Sequence, residues 1–183
     1  MATKMNRASP GGDKRASELG RAVRFQYGAL PYRFAEAVRL EILLVTTRQT
    51  HRWIIPKGWP IEGLKPPESA AREAFEEAGV RGKVGAKSIG VYRYEKTLEE
   101  TDVTTPCEVR VFPLLVKRQF ETWPEALQRE ARWFDADKAA SALKEDGLRE
   151  LTEEFVQKKL AKMLRRKKTL IRAMGLIAQR GGK

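Results

Sequence analysis

Two hydrophobic periodicities along the chain predict two kinds of element. Residues 35–47 read AEAVRLEILLVTT, a run rich in Val, Leu and Ile that predicts a buried strand. Pro113 lacks the N–H that an interior strand needs, so it indicates an edge or a bulge in its own strand. Shorter apolar runs predict further strands at 53–55, 89–94, 109–116 and 131–134.

Helical spacing predicts three helices. The first covers residues 67–79, where Gly79 supplies a C-terminal stop. A second begins at Asp135, a predicted N-cap, and runs to Leu143. In the third, residues 148–174, apolar residues recur at helical spacing with lysines and arginines between them.

The remaining segments complete one domain with two extensions. Residues 56–67 carry Pro and Gly without any period and predict a loop, whereas 26–33 are expected to pack onto the domain. The order of strands, a central helix, more strands and then helices predicts an α+β fold, an α/β/α sandwich with a mixed sheet. We predict a disordered basic tail at 1–24, a domain at 25–147, and a basic amphipathic helix and tail at 148–183.

The formal net charge of +12 lies at the two ends of the chain. Residues 1–24 carry a net +4 and residues 155–183 a net +10, which leaves −2 for the residues between them. A strongly basic protein would ordinarily suggest a nucleic-acid partner. Because the centre is near neutral, the net charge is no evidence about the substrate of the domain. The basic ends remain candidates for binding nucleic acid or an anionic surface.

Composition also limits the metal chemistry and the compartment. Cys107 is the only cysteine, so no internal disulfide is possible, and we expect it to pack as a small apolar group. His51, the only histidine, is predicted to lie in a turn and rules out a multi-histidine metal site within the chain. A metal would be held mainly by oxygen, which favours Mg²⁺ or Mn²⁺. Neither a transmembrane run nor a secretory signal is predicted, and a cytoplasmic location is expected.

Three glutamates on the first predicted helix carry the candidate chemistry. Glu73, Glu76 and Glu77 are spaced i, i+3, i+4 and share one face, opposite a face of Ala and Phe side chains. Adjacent carboxylates repel each other, and a divalent cation relieves that repulsion. Arg72 can offset part of the charge and tether the loop. The alternative is a solvated acidic helix face, which the glutamates alone do not exclude.

The residues before the helix favour the metal site. A P-K-G loop ends at Gly58, and R-E-A-F-E-E-A-G-V begins fourteen residues later. This pattern resembles the Nudix box, which reads G, five residues, E, seven residues, R-E, an apolar residue, any residue, E-E, any residue, G and an apolar residue. The matching residues are Gly58, Arg72, Glu73, Ala74, Glu76, Glu77, Gly79 and Val80.

One position departs from the box, because Leu64 stands where the pattern has its first glutamate. In Nudix proteins that glutamate supports the loop and is less central than the three metal glutamates. Glu62 or Glu68 could substitute for it, or the loop could be held differently. The departure therefore concerns loop geometry and leaves the predicted metal ligands intact.

The resemblance covers about residues 35–145 and implies a hydrolase. Nudix proteins are α/β/α sandwiches with a mixed sheet, and their box forms a loop–helix–loop. They hydrolyse a diphosphate linked to another group, and divalent metals bridge the phosphates and activate water. Some family members carry an additional glutamate that binds metal or acts as base, and Glu130 lies at such a position.

The resemblance assigns roles to individual residues. The implied metal ligands are Glu73, Glu76 and Glu77. The implied catalytic residues are Glu76, Glu77, Arg72 and Glu130. The glycines with structural roles in the motif are Gly58 and Gly79.

The substrate class follows from a narrower likeness. The loop P-K-G-W-P-I-E-G and the segments V-F-P-L-L-V and T-W-P-E-A-L-Q-R-E-A-R-W-F are similar to diphosphoinositol polyphosphate phosphohydrolases and diadenosine polyphosphate hydrolases. Such substrates are dense polyanions. An exposed Lys or Arg is more often simply solvated, and Trp133 is expected in the core. The candidate substrate contacts are Lys57, Arg33, Arg48, Arg52 and Trp59.

Other functions remain open at this point. The chain could be a Nudix-fold module whose basic ends bind RNA, or a pyrophosphohydrolase of RNA 5′ ends whose C-terminal helix holds the polymer. That helix could also lie on a membrane or mediate self-association. The complete set of glutamates favours an enzyme. The oligomeric state and the exact substrate are not determined, because specificity in such a fold lies in loops.

Overall fold

The computed structural model describes residues 23–35, 39–97 and 104–180, with the backbone alone for Thr97 and 170–180. The tail predicted at 1–24 lies almost entirely outside the described residues. The strands in the described part are β1 (Arg24–Ala35), β2 (Arg39–Thr46), β3 (Trp53–Ile54), β4 (Lys57–Gly58), β5 (Val80–Val84), β6 (Gly90–Thr97), β7 (Thr104–Gln119) and β8 (Ala131–Asp135). The helices are α1 (Pro66–Ala78), α2 (Ala136–Ala142) and α3 (Asp146–Arg180).

One mixed sheet organises these elements. Its central pair, β1 and β7, runs parallel, with Gly28 beside Val111. All other pairings are antiparallel, with β2 and β4 along the second edge of β1 and with β5 and β6 along the second edge of β7. Strands β3 and β8 pair with β2. Among the described strands, β4 pairs only with β1, so the sheet ends at β4 in this part of the chain.

Helices cover both faces of the sheet. Alternate residues of a strand point to opposite faces, so Tyr27 and Tyr32 of β1 face different layers. Gly58, the partner of Tyr27, lies against the Glu73 carboxylate of α1. Tyr32 packs edge-to-face on Phe155 of α3, with 5.0 Å between ring centroids. The sheet therefore lies between α1 on one face and α3 on the other, and the predicted α/β/α sandwich is confirmed.

Strand β1 is a central element that the hydrophobic pattern did not reveal. The sequence predicts only that residues 26–33 pack onto the domain. Gly28, Pro31 and Arg33 interrupt the apolar pattern there, while the pairing that makes the segment a strand comes from distant β7. The single strand predicted at 35–47 corresponds mainly to β2, and β1 is a separate strand before it.

Pro113 lies in the interior of the sheet, so the edge alternative predicted for its strand is wrong, whereas the bulge alternative agrees with the register shift in the pairing of β7 with β5. It pairs with Leu30 of β1 on one side, and on the other its carbonyl accepts a hydrogen bond from Gly85 N at 2.8 Å. The N and O of one strand residue point to the same side. The side of Pro113 that lacks an N–H therefore faces the point where the strand beside β7 changes from β6 to β5. No hydrogen bond between strands is lost there. An irregular register between Arg81 and Gly82 lies in the same region.

Helix α3 has two parts with different surroundings. Near its start Leu148, Thr152, Phe155 and Val156 are buried. Beyond Leu160 most of the described side chains are exposed. The part of the helix that stands free of the sheet therefore starts well after the predicted boundary between 147 and 148. No helix in the described part of the chain combines the length and the apolar character needed to cross a membrane.

Phe155→Ala should strongly destabilise the fold, because it leaves a cavity in the core beside Tyr32. The free energy of unfolding should fall by about 3–5 kcal/mol. Leu164→Ala is the matched control on the free part of α3, since 55% of Leu164 is exposed, and it should change the value by less than about 0.5 kcal/mol. Urea denaturation measures both. Equal unfolding midpoints for the two variants would contradict the packing of the first turns.

Candidate active site

Local interactions fix both ends of α1, the helix that carries the glutamates. Lys65 is the N-cap residue, and its backbone N–H donates to Glu68 Oε2 at 2.9 Å. Pro66 and Pro67 occupy the first helical positions, where no N–H is needed. At the other end Gly79 has φ +65°, a left-handed conformation that favours glycine. The predicted helix is confirmed, one residue earlier than expected.

The Glu73 carboxylate fills the space beside Gly58. Ala70, Ala74 and Ala78 are fully buried, and these small side chains let α1 approach the sheet closely. A Cβ on Gly58 would clash with the carboxylate of Glu73. The loop therefore has no room for a side chain at position 58, and the contact brings loop and helix together.

Glu77 is buried and held by two donors. The backbone N–H of Lys57 donates to Glu77 Oε2 at 3.1 Å, and Arg129 Nη2 lies 2.5 Å from Glu77 Oε1. The same guanidinium contacts Glu125 at 2.5 Å and donates to the Thr46 carbonyl at 2.9 Å. Arg129 thereby connects α1 to the loop after β7 and to the end of β2.

Glu76 pairs with Arg72, one turn earlier on α1, with Arg72 Nε 2.5 Å from Glu76 Oε1. Within the described residues, no three Asp, Glu, His or Cys side chains are gathered closely enough to hold one metal ion. The box glutamates are nevertheless oxygen donors on one helix face, which is the donor type that Mg²⁺ and Mn²⁺ prefer.

The carboxylates of Glu73 and Glu77 are hard to ionise where they stand. Burial, with the negative charges of Glu76 and Glu125, raises the pKa of Glu73 to about 7. Burial also raises the pKa of Glu77 to about 7, against the opposing effects of Arg129 and a backbone hydrogen bond. A divalent cation stabilises the ionised form of such carboxylates, so the residues present fit a metal site.

Lys57 reaches the opposite face of the sheet from Gly58. Its ammonium donates to Gln26 Oε1 at 3.2 Å and to the Tyr94 hydroxyl at 2.8 Å. Burial lowers the pKa of Lys57 to about 8, an effect that the charge of Glu77 opposes. A cation with so little water around it attracts phosphate more strongly than an exposed one.

Trp59 follows in the same loop and lies beneath two further cations. The Arg24 guanidinium carbon is 4.4 Å and the Lys96 ammonium is 4.8 Å from the centroid of its ring. Sequence reasoning selected Trp59 and missed both partners. Arg24 and Lys96 are distant in sequence from the loop, and only the pairing of β1 and β6 with β7 brings them to it.

Comparison with known proteins gives the family. The family model described as NUDIX domain matches residues 27–155 of the chain. The chain belongs to the Nudix family. It is 31% identical over 144 residues to Nudix hydrolase 12, mitochondrial, of Arabidopsis thaliana, and the match covers 71% of each chain. It is 34% identical over 137 residues to Nudix hydrolase 21, chloroplastic, of the same plant, covering 72% of this chain and 66% of that one.

Solved structures of low sequence identity share the fold. A binary complex of the C. elegans Ap4A hydrolase has a TM-score of 0.58 at 20% identity, over 74% of this chain and 96% of that one. The NUDIX domain of Shewanella oneidensis NrtR, solved with ADP ribose, has a TM-score of 0.55 at 16% identity, over 80% and 94%. The predicted Nudix fold and the assignment to the Nudix hydrolases are thus confirmed. Two of the plant relatives are named mitochondrial and chloroplastic, so the cytoplasmic location remains a prediction.

The Nudix loop holds its shape without the glutamate that Leu64 replaces. Leu64 is 41% exposed and makes no polar side-chain contact. The Ile61 N–H points at the hydroxyl of buried Ser69, 3.4 Å away, and Leu64 N donates to Ile61 O at 3.1 Å. Glu68 stabilises the start of α1 through the Lys65 N–H. Contacts between the loop and the first turn of α1 therefore hold the loop.

Arg33 and Glu130 each have an oppositely charged partner within the protein, so neither charge requires a bound ligand. Arg33 is 2.6 Å from Glu41 and its guanidinium carbon is 4.0 Å from the Trp133 ring centroid. It lies six residues along β1 from the partner of Gly58, roughly 20 Å away. Glu130 has 54% of its side chain exposed and pairs with Arg132 at 2.6 Å.

Arg48 and Arg52 lie on the exposed turn between β2 and β3, close to the loop after β7. Arg48 Nη1 is 3.5 Å from Gln128 Oε1, and Arg52 Nε donates to the Thr50 hydroxyl at 3.0 Å. Sequence reasoning missed Arg129, which lies in that neighbouring loop. The available signal was an acidic and a basic residue four positions apart in P-E-A-L-Q-R, in a segment interpreted only as a loop.

Glu73→Gln should stabilise the metal-free protein at pH 8 and have little effect at pH 5. Because the folded pKa of Glu73 lies near 7 against 4.5 for the free side chain, the wild type loses stability as the pH rises from about 4.5 to 7. Glutamine removes that penalty. We expect a gain of about 1 kcal/mol at pH 8, discounted because the carboxylate is partly solvated.

Thermal unfolding in a chelator at the two pH values measures this effect. Glu150→Gln, at an exposed position on α3, is the control and should shift stability little at either pH. A loss of stability at pH 8, or an equal change at both pH values, would contradict the raised pKa of the Glu73 carboxylate.

Proposed function

We propose that this Nudix hydrolase cleaves a phosphoanhydride bond in a polyphosphorylated small molecule, using Mg²⁺ or Mn²⁺. Diphosphoinositol polyphosphates and dinucleoside polyphosphates are the substrate types we favour. The observation that carries the proposal is the face of α1 on which Glu73, Glu76 and Glu77 lie, with Glu73 against the glycine loop. Mouse diphosphoinositol polyphosphate phosphohydrolase 3-alpha supports the substrate class, at 33% identity over 106 residues that cover 56% of this chain and 60% of that protein.

Glu73, Glu76 and Glu77 would hold the metal. A divalent cation bound there supplies charge neutralisation at the phosphates and a more acidic water. The protein's own part is to hold the carboxylates in place. The Lys57 N–H and Arg129 orient Glu77, the cleft beside Gly58 admits Glu73, and Arg72 neutralises part of the charge on Glu76.

Glu125 is our candidate for the additional family carboxylate in place of Glu130. Its negative charge raises the pKa of Glu73, and Arg129 fixes its position at 2.5 Å. Glu130 is instead exposed and paired with Arg132. We assign Glu125 the role of a further metal ligand or of a proton acceptor for the attacking water.

Cations around the loop provide the contacts for an anionic substrate. Lys57 is half-buried beside the box, and its ammonium lies on the sheet face beyond β4. Arg48 and Arg52 are exposed near the loop that carries Glu125 and provide outer contacts. We leave Arg33 out of the substrate site, because its charge is matched by Glu41.

Glu76→Gln should abolish most hydrolysis while the protein stays folded. Loss of a group that only supports a metal ligand costs about 10–100-fold, so loss of a ligand itself should lower kcat by more than about 100-fold. Phosphate release from a diphosphoinositol or dinucleoside polyphosphate with Mg²⁺ or Mn²⁺ measures turnover. Glu150→Gln serves again as the control. Equal turnover by wild type and Glu76→Gln would contradict the proposal.

Hydrolysis of RNA 5′ ends is a second candidate, and the free part of α3 is the observation that favours it. Lys162, Arg165 and Arg166 lie along that part, and the chain carries no Asp or Glu after Glu154. A basic helix that stands free of the sheet could hold a polyanionic polymer near the site.

Removal of residues 165–183 separates the two candidates. This cut keeps Phe155 and Val156, which are buried, whereas a cut after Leu151 would remove part of the core. If RNA is the substrate, the shortened chain should lose turnover of triphosphorylated RNA and keep turnover of small molecules. Unchanged small-molecule turnover with no RNA hydrolysis by either form would eliminate the RNA candidate.

A further inference from the structure

We infer that Arg24, Trp59 and Lys96 form a binding site for a second anionic group of the substrate, apart from the diphosphate that is cleaved. This inference rests on the proposed function and specifies it. The site requires a substrate that carries a phosphate on the part of the molecule far from the cleaved bond. A substrate in which that part is an uncharged sugar would not use the site.

The cations at this site have no acidic partner among the ion pairs of the described residues. Arg24 and Lys96 contact the Trp59 ring at 4.4 and 4.8 Å, and neither forms a salt bridge there. Arg93, on the same strand as Lys96, does have such a partner, since it pairs with Glu108 at 3.0 Å. Because both cations contact the same indole ring, an anion bound at this ring would meet two positive charges.

Trp59 acts as a platform for these cations. A cation over the face of Trp is held by the ring quadrupole, and the indole restricts where a long side chain can go. Arg24 and Lys96 also stand over the ring where a stacked nucleobase would lie. The arrangement therefore favours phosphate over a base as the group bound at Trp59.

The position of the site relative to the glutamates sets the size of the ligand. Arg24 lies three residues along β1 from Tyr27, which pairs with Gly58, so the two levels are roughly 10 Å apart. Arg24, Gln26 and Gly28 face the side of the sheet opposite to Tyr27. Arg24 therefore lies on the same face of the sheet as the Lys57 ammonium.

A ligand can reach both places around the edge of the sheet. Within the described residues β4 pairs only with β1, so the other edge of β4 is not covered by a further strand. The substrate we infer therefore holds its diphosphate at the glutamates and a further phosphate on the other face of the sheet, about 10 Å further along β1.

The test uses myo-inositol hexakisphosphate as the probe, because it has many phosphates and no phosphoanhydride bond to cleave. Calorimetry on the full chain compares wild type with the double variant Arg24→Gln/Lys96→Gln. The matched control is Lys83→Gln/Lys87→Gln, which removes the same charge from two exposed positions elsewhere. We expect the first variant to weaken binding about tenfold or more and the control to change it less than about twofold.

Trp59 is tested by a pair of substitutions. Trp59→Phe keeps an aromatic platform and should retain most of the probe affinity, whereas Trp59→Leu should lose it to the extent that the double variant does. Thermal unfolding of each variant checks that the fold is intact.

Kinetics adds a readout that distinguishes this site from general damage. Arg24→Gln/Lys96→Gln should raise KM for a diphosphoinositol polyphosphate while kcat stays close to wild type, and it should leave KM for ADP-ribose unchanged. Equal effects of the two double variants on probe binding, or no probe binding by the wild type, would overturn the inference. If the wild type binds the probe through Arg24 and Lys96 but hydrolyses no diphosphate, the site stands and the proposed function fails.

Discussion

The buried Glu77 carboxylate joins parts of the chain that are far apart in sequence. It accepts the Lys57 N–H from strand β4 and pairs with Arg129 from the loop after β7. A charge in that position is stable only if such partners are present, since an unpaired buried carboxylate costs several kcal/mol. The box helix, the glycine loop and the distal loop are therefore held in one arrangement by a single side chain.

That arrangement explains why a motif on one short helix needs the whole domain. Glu73 and Glu76 stand on the same face of α1, but their surroundings come from elsewhere. Glu73 occupies the space left by the glycine at position 58, and Glu125 adds a negative charge beside it. The result is that Glu73 and Glu77 have raised pKa values, and binding of a divalent cation can stabilise their ionised forms.

Charge is distributed differently near the site than in the whole chain. The net +12 belongs to the two ends, and the free part of α3 carries much of it. Around the loop, a small number of cations, with Lys57, Arg24 and Lys96 closest to it, are brought together by β1, β4 and β6 on one face of the sheet. Net charge therefore does not describe the local potential that an anionic ligand meets.

The sequence by itself determined the elements with strong local periodicity and the identity of the family. The helix of the box, its glutamates and its glycine stop follow from spacing within thirteen residues, and the Nudix family and fold predicted from them are confirmed. The roles of the individual residues are still proposals. Strand β1, the interior position of Pro113 and the two-part surroundings of α3 were decided only by tertiary structure, because each depends on pairing or packing with residues far along the chain. The same reason separates the glutamates, which the sequence located, from Arg129, Glu125, Arg24 and Lys96, whose position near the box results from the folding of the sheet.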